Sequence, residues 1–146
     1  MELGDNPDMN GMLLILLIAR GPLPPQLAFV TAEDAADCRS REAMLTPLIA
    51  STGGRIRARR CVASSQRYTP YRHAPSVSAP ASVWRIDLSA NPPVLERQKD
   101  WASCQARVAA TPRDDLCALS RQRPEGRWGR WWRLLHALFQ GSGGNP

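Results

Sequence analysis

The first strong hydrophobic signal of the chain is an uninterrupted apolar run at Met12–Ala19, followed by Arg20 and a cluster of prolines. The run is too short to cross a bilayer, which needs about 20 apolar residues. Its length predicts a buried core strand, and it would also suit the hydrophobic region of a secretory signal. The residues before it carry acids and no Lys or Arg, unlike a signal, so a core strand is favoured and both interpretations stay open.

Two stretches of the chain, residues 12–64 and 82–120, show the same series of patterns, and the first stretch begins with this apolar run. Each has an extended apolar segment, a turn with two adjacent prolines, a second extended segment, a helical segment with one cysteine and a final strand with another. The endings are also alike, Cys-Val-Ala-Ser against Cys-Ala-Leu-Ser. The sequence therefore predicts an α+β fold of two strand–strand–helix–strand repeat units, with a ferredoxin-like sheet as the alternative.

Local signals set the predicted ends of the two helices. Thr31 is the candidate N-cap of the first helix, and Pro47 should kink or end that helix. Thr111 and Pro112 should end the second helix.

A third helical pattern lies near the C-terminus, where we predict an Arg/Trp amphipathic helix over residues 121–140. Arginines lie off its apolar face, and the residues of both faces are Arg127, Trp128, Arg130, Trp131, Trp132, Arg133, Leu135, Leu138 and Phe139. This helix could pack on the strands and complete their core, or lie at an anionic membrane interface. Binding to nucleic acid or to a groove of a partner protein are less favoured alternatives.

The remaining segments are predicted to be irregular. Residues 1–11 read as a disordered acidic N-terminus and residues 65–81 as an exposed linker rich in proline and serine. Residues 141–146 read as a flexible tail.

Charge adds a candidate binding surface. The 146 residues carry a net charge of +6, and Lys99 is the only lysine among 19 basic residues, a bias typical of GC-rich codons. No acid occurs between Ala43 and Ile86. Such a segment attracts phosphate, lipid headgroups or an acidic partner, and its candidate residues are Arg55, Arg57, Arg59, Arg60, Arg67 and Arg72.

The four cysteines fit the repeat, because a cysteine on the buried face of each helix could meet one on the following strand. We therefore predict the disulfides Cys38–Cys61 and Cys104–Cys117, one in each unit, with four free thiols as the alternative. Strict alternation would place Arg57 and Arg59 on the same strand face as Cys61, so a bulge or a short strand would be needed there. Disulfides would favour a periplasmic, secreted or membrane-associated location over the cytoplasm.

The pattern of residues 12–64 resembles that of many very short bacterial proteins with two cysteines. These share an apolar strand, a proline-containing turn, a strand with phenylalanine, a helix with cysteine and a strand ending in Cys-Val. The resemblance implies no activity. Pro47 and the arginines of the last strand depart from the pattern.

Few residues suggest catalysis or metal binding. The cysteines form no closely spaced pair and the only histidines are His73 and His136, so no zinc site, cofactor or small-molecule substrate is expected. Phosphate-binding loops and hydrolase motifs are absent from the sequence. Asp114 and Asp115 would point to opposite faces of a strand and should be solvated.

The sequence thus predicts a non-enzymatic, envelope-associated protein that touches an anionic membrane through residues 128–139. The alternative is a soluble binding or regulatory protein whose basic segment faces an acidic partner, with nucleic acid less favoured than protein. A third interpretation is a spurious reading frame of GC-rich DNA, which the arginine bias favours and the repeat opposes.

Overall fold

The computed structural model describes residues 11–72, 81–111 and 114–125. These residues form eight strands and two helices in an α+β arrangement, and the predicted fold class is confirmed. In chain order the elements are β1 (Met12–Ala19), β2 (Gln26–Ala32), α1 (Ala35–Ser51), β3 (Arg55–Ala63), β4 (Arg67–Tyr68), β5 (Ser82–Asp87), β6 (Val94–Gln98), α2 (Trp101–Ala110), β7 (Leu116–Ser120) and β8 (Pro124–Glu125).

Six strands form one sheet in the order β3-β1-β2-β7-β5-β6. We call β1, β2, α1 and β3 the first half and β5, β6, α2 and β7 the second half. In each half, the first strand lies between the other two and pairs antiparallel with both. The order of elements along the chain differs from the β-α-β-β-α-β sequence of a ferredoxin-like sheet.

The two halves meet along a short parallel contact between β2 and β7. Its one ladder pair is Gln26 with Leu119, and the Leu119 amide also donates to the carbonyl oxygen of Pro25 at 2.9 Å. The short strands β4 and β8, which follow the two halves, form a second, two-stranded antiparallel sheet, and side chains supply the remaining contacts between the halves.

Strand β1 is apolar throughout because both of its faces are covered. Leu13, Ile15 and Leu17 join residues of both halves in a core that we call the inter-half core, which includes Phe29 and Trp84. The alternate residues of β1 face α1 in a second cluster, the α1 core, whose buried members are Leu14, Leu16, Ile18, Ala28, Ala32, Cys38 and Ile49. Of the two interpretations of Met12–Ala19, the structure shows the core strand.

Helix α1 begins and continues differently from the sequence prediction. Asp34 is its N-cap and accepts a hydrogen bond from the Asp37 amide at 2.7 Å, whereas Thr31 belongs to β2. Pro47 lies inside the helix, which continues to Ser51. Both Pro47 and Ala43, whose carbonyl would otherwise be bonded by residue 47, are exposed, so water can satisfy the freed carbonyl.

The end of α1 is held to the end of β1. Gly53 adopts φ +83°, a conformation that favours glycine after a helix. Arg20 then donates from Nη1 to the carbonyl oxygen of Thr52 at 2.8 Å and to its hydroxyl at 2.7 Å. A cationic side chain at a helix C-terminus is also favourable for the helix dipole.

Helix α2 agrees with the prediction at its end. Asp100 caps its start by accepting from the Ser103 amide at 2.7 Å, and the helix ends at Ala110 before Thr111 and Pro112.

The segment after β3 is not the exposed linker that the sequence predicts. Tyr68 in β4 stacks on Phe29 with ring centroids 3.9 Å apart, and Tyr71 packs against the α1 core. Residues 73–80 of the predicted linker, and residues 1–10, lie outside the described part of the chain.

The predicted C-terminal helix cannot begin at residue 121, because residues 121–125 are non-helical and contain β8. Gln122 is buried there and bonds the amide and the carbonyl of Phe29 at 2.8 and 2.7 Å. Residues 126–146 lie outside the described part of the chain.

Candidate interaction surface along strand β3

Strand β3 is an edge strand of the sheet and carries four of the six arginines of the predicted basic segment, Arg55, Arg57, Arg59 and Arg60. Within the described residues it pairs with β1, and it lies at the end of the strand order. Arg55, Arg57 and Arg59 are exposed, and the residues between them are half-buried. We call these three arginines the basic edge.

A bulge at Arg57 determines which β3 residues face α1. The register passes from Leu17 opposite Ala58 to Ile18 opposite Ile56, which leaves Arg57 as the extra residue. Ile56 therefore joins Cys61 against the α1 core. The bulge takes Arg57 out of alternation with Cys61, whereas Arg59 remains on the same strand face as Cys61.

Arg59 lies on the helix-facing side of β3, and its charge is matched there. Its Nε lies 2.7 Å from Oε2 of Glu42 in α1, although 61% of the arginine side chain stays exposed. An exposed pair of this kind adds little stability, but it shows that the basic edge can hold a carboxylate.

The side chains of Arg55 and Arg57 have no hydrogen bond or ion pair with another described residue. Arg67 and Arg72 are also exposed, on the segment that follows β3. Arg55 and Arg57 therefore present positive charge that no direct ion pair with a described residue matches.

Arg60 does not belong to this surface, although it lies within the predicted basic segment. Its Nη1 donates to the carbonyl oxygens of Leu88 and Ala90, both at 2.8 Å, and its Nη2 donates to Oδ1 of Asn91 at 3.0 Å. Arg60 thus joins β3 to the second half and is not available to a partner.

A small cleft of about 170 Å³ lies between the two halves beside Arg57. Its polar lining in the second half includes Asp87, Ser89 and Asp114. The Ser89 hydroxyl and amide both donate to Oδ1 of Asp87, at 2.6 and 3.0 Å. That arrangement is a turn motif, in which the Asp87 carboxylate accepts from the backbone and side chain of Ser89.

The four cysteines form the two predicted disulfides, Cys38–Cys61 and Cys104–Cys117. Each joins the helix of one half to the third strand of the same half, with Cα atoms 6.4 and 6.1 Å apart. Structural disulfides persist where the surroundings are not reducing. The pair therefore indicates a non-reducing, extracytoplasmic environment.

Under α2 the sequence reasoning missed a buried charge cluster. Arg85 lies between Glu96 and Asp115: its Nε is 3.0 Å from Glu96 Oε1, and its Nη1 bonds Asp115 Oδ2. The hydrogen bond from Arg85 is the main cause that holds the pKa of Glu96 below its usual value. Asp115 is buried, so the prediction that it is solvated is wrong, whereas Asp114 is exposed.

One sequence signal could have revealed this burial. Asp115 lies two residues before Cys117 in an alternating strand, and Cys117 must face α2 to reach Cys104. Asp115 therefore lies on the same face of this segment as Cys117, beneath α2.

Neither a metal centre nor a membrane-spanning helix occurs among the described residues. No group of three or more His, Cys, Asp or Glu residues there could hold a metal ion. No helix in that part of the chain is long and apolar enough to cross a membrane.

The predicted membrane- or partner-contacting residues lie outside the described part of the chain. They are Arg127, Trp128, Arg130, Trp131, Trp132, Arg133, Leu135, Leu138 and Phe139.

The chain was compared with protein-family models, with curated proteins and with solved structures, and none of them matches it.

Proposed function

We propose that this protein is a non-enzymatic binding protein of a periplasmic, secreted or membrane-associated location, and that its basic edge holds an acidic protein. The observation that carries the proposal is the pair Arg55 and Arg57, which are exposed and have no partner among the described residues. Exposed unmatched charge steers and selects a partner of opposite sign.

Charge along the chain supports the same surface. Glu42 on α1 forms an ion pair with Arg59, Asp87 and Asp114 line the cleft beside Arg57 without an ion pair to it, and no acid occurs between Ala43 and Ile86. Nucleic acid is a weaker fit, because single strands usually require exposed aromatic rings for stacking. Tyr68 and Tyr71, the aromatic residues nearest in sequence to β3, are packed in the two cores.

The test is binding of labelled poly-glutamate to the full chain, measured by fluorescence anisotropy at low salt. The variant Arg55→Glu, Arg57→Glu should weaken binding by on the order of tenfold or more. Its matched control is Arg97→Glu, Lys99→Glu, which makes the same charge change at two exposed residues on and just after β6, the opposite edge of the sheet. Equal losses in both variants would mean that net charge alone binds the probe, and the proposal would fail.

We also propose that the two halves are diverged copies of one strand–strand–helix–strand unit. Both halves have a central first strand, a helix that connects the outer strands, and one disulfide from helix to third strand. The parallel contact of β2 with β7 would then be the junction between the copies.

Attachment to an anionic membrane through residues 127–139 is the second candidate function. The observation that favours it is that described elements already cover β1 on both faces: α1 on one side and the second half on the other. The strands therefore do not need the C-terminal segment to complete their core, and its tryptophans are left for an external surface such as a headgroup boundary.

Co-sedimentation with vesicles tests this second candidate. Full-length protein should bind phosphatidylglycerol vesicles and not phosphatidylcholine vesicles, and Trp131→Ala, Trp132→Ala should abolish binding without lowering the thermal midpoint. The control Leu134→Ala, His136→Ala changes residues off the predicted apolar face and should bind as the parent does. Unfolding of the tryptophan variant would instead place the segment in the core.

A further inference from the structure

We infer that the acidic partner binds as an extended strand, which pairs with the free edge of β3 and continues the sheet. This inference rests on the proposed function of the basic edge and names how the partner is held. The relevant features are the length of β3, its place in the sheet and the spacing of its charges.

On its outer side, β3 leaves backbone N–H and C=O groups that no described strand pairs with. β3 has nine residues, and along an antiparallel strand only alternate residues exchange hydrogen bonds with a given neighbour. The others point away from β1, and no strand of the described residues lies beyond them. An extended segment placed there would satisfy these N–H and C=O groups, as in recognition by strand addition.

The second edge of the sheet is less suitable. β6 has five residues, and its central residue Glu96 is already bound by Arg85 and lies 3.5 Å from Arg107. β3 is the longer edge and carries charge of one sign.

Charge selects the occupant. A second copy of this chain would set the arginines of one β3 against those of the other, which is unfavourable for residues directly opposite one another. A segment with acids at alternate positions would instead place carboxylates on one face, beside Arg57 at the cleft between the halves, whereas Arg59 faces α1 on the opposite side of β3. The contact of Arg59 with Glu42 at 2.7 Å shows the geometry of such a pair.

The bulge at Arg57 sets the expected size of the partner segment. A bulge increases the local twist of an edge and so opposes long, flat pairing between sheets. A short peptide can follow a twisted edge, so we expect one extended segment with acidic and apolar residues in alternation. With its acids beside Arg57, its apolar residues would lie on the α1 side of the sheet, beside the half-buried Ile56.

The experiment compares two labelled peptides of identical charge, in which glutamate and valine alternate. One has an ordinary backbone and the other carries N-methyl groups on alternate amides, which removes the donors of one edge. The ordinary peptide should bind the full-length protein on the order of tenfold or more tightly than the methylated one. Binding should also slow amide hydrogen exchange at residues 55–63 that are unprotected in the free protein.

Three outcomes separate this inference from the proposed function. Equal binding of both peptides, with both lost in Arg55→Glu, Arg57→Glu and kept in Arg97→Glu, Lys99→Glu, would retain the basic edge and overturn strand addition. Failure of both peptides and of poly-glutamate would overturn both proposals. Tighter binding of a DNA oligonucleotide than of any peptide, through the same arginines, would also overturn both.

Discussion

Arg60 of β3 donates from Nη1 to the carbonyl oxygen of Leu88 at 2.8 Å, and this bond crosses from the first half to the second. The same nitrogen bonds the carbonyl of Ala90 at 2.8 Å. Gln122 makes a comparable link near the other side of the junction, since its side chain bonds Phe29 and the carbonyl oxygen of Thr69. Side chains therefore add hydrogen bonds to those of the short β2–β7 ladder and of the β4–β8 pair.

Replacing Arg60 by alanine should lower the free energy of unfolding by about 2 kcal/mol, because charge-assisted hydrogen bonds are lost and two carbonyls lose their donor. Urea denaturation checks the value. Arg57→Ala is the control, and we expect a change within about 0.5 kcal/mol because Arg57 is exposed. Equal effects of the two substitutions would contradict the role of Arg60 in joining the halves.

Replacing Arg85 by methionine should destabilise the protein by roughly 3–5 kcal/mol, because Asp115 would be left as a buried charge without its partner. Glu96→Gln should have a much smaller effect, since the Glu96 side chain is 41% exposed and water screens its ion pair. Chemical denaturation measures the free energy of unfolding of both variants. A double variant, Arg85→Met with Asp115→Leu, should recover much of the loss if the unpaired charge is its cause.

Removing the two disulfides should have different local effects. Loop-closure entropy gives about 3 kcal/mol for each, with sequence separations of 23 and 13 residues. Helix α1 keeps an apolar contact through Ile49 and Leu45, whereas α2 lies on the charged cluster of Arg85. In Cys104→Ala, Cys117→Ala we therefore expect α2 to lose its protection from amide hydrogen exchange first.

The matched variant is Cys38→Ala, Cys61→Ala, in which α1 should keep protection until the whole protein unfolds. Earlier exchange in α1 than in α2 would contradict this difference between the halves.

Both tyrosines of the chain should resist ionisation in the folded protein. Burial is the main cause that raises the pKa of Tyr68 and of Tyr71 above the usual 10.0. Because the folded value is the higher one, this contribution to stability is complete below pH 10.0 and is lost as the pH rises through the folded pKa. Tyrosinate absorbance should therefore develop at higher pH in native than in urea-unfolded protein, and coincident curves would disprove the burial.

Elements that one local signal determines could be predicted from the sequence. The apolar run of β1, the disulfide pairs and the end of α2 before Pro112 belong to this group. Each depends on residues that are close in sequence or on a strong backbone restriction.

Features that depend on contacts between the halves could not be predicted. The tyrosines read as linker residues, yet Tyr68 stacks on Phe29 of the first half, beside Trp84 of the second. Arg60 resembles its neighbours in sequence, and its separate role follows from the distant turn at Leu88. Pro47 is predicted to kink or end α1, but the helix continues to Ser51, and the position of Pro47 on the solvent side makes it tolerable.

Neither disulfide crosses from one half to the other, so a single cut in the segment between Arg72 and Ala81 would yield two pieces with no covalent link. In each piece, a disulfide would still join the helix to the third strand. Reassembly would depend on the inter-half core, on the bonds from Arg60 and Gln122, and on the short β2–β7 and β4–β8 pairings. The architecture therefore suits fragment complementation, in which two separately made peptides restore one sheet on mixing.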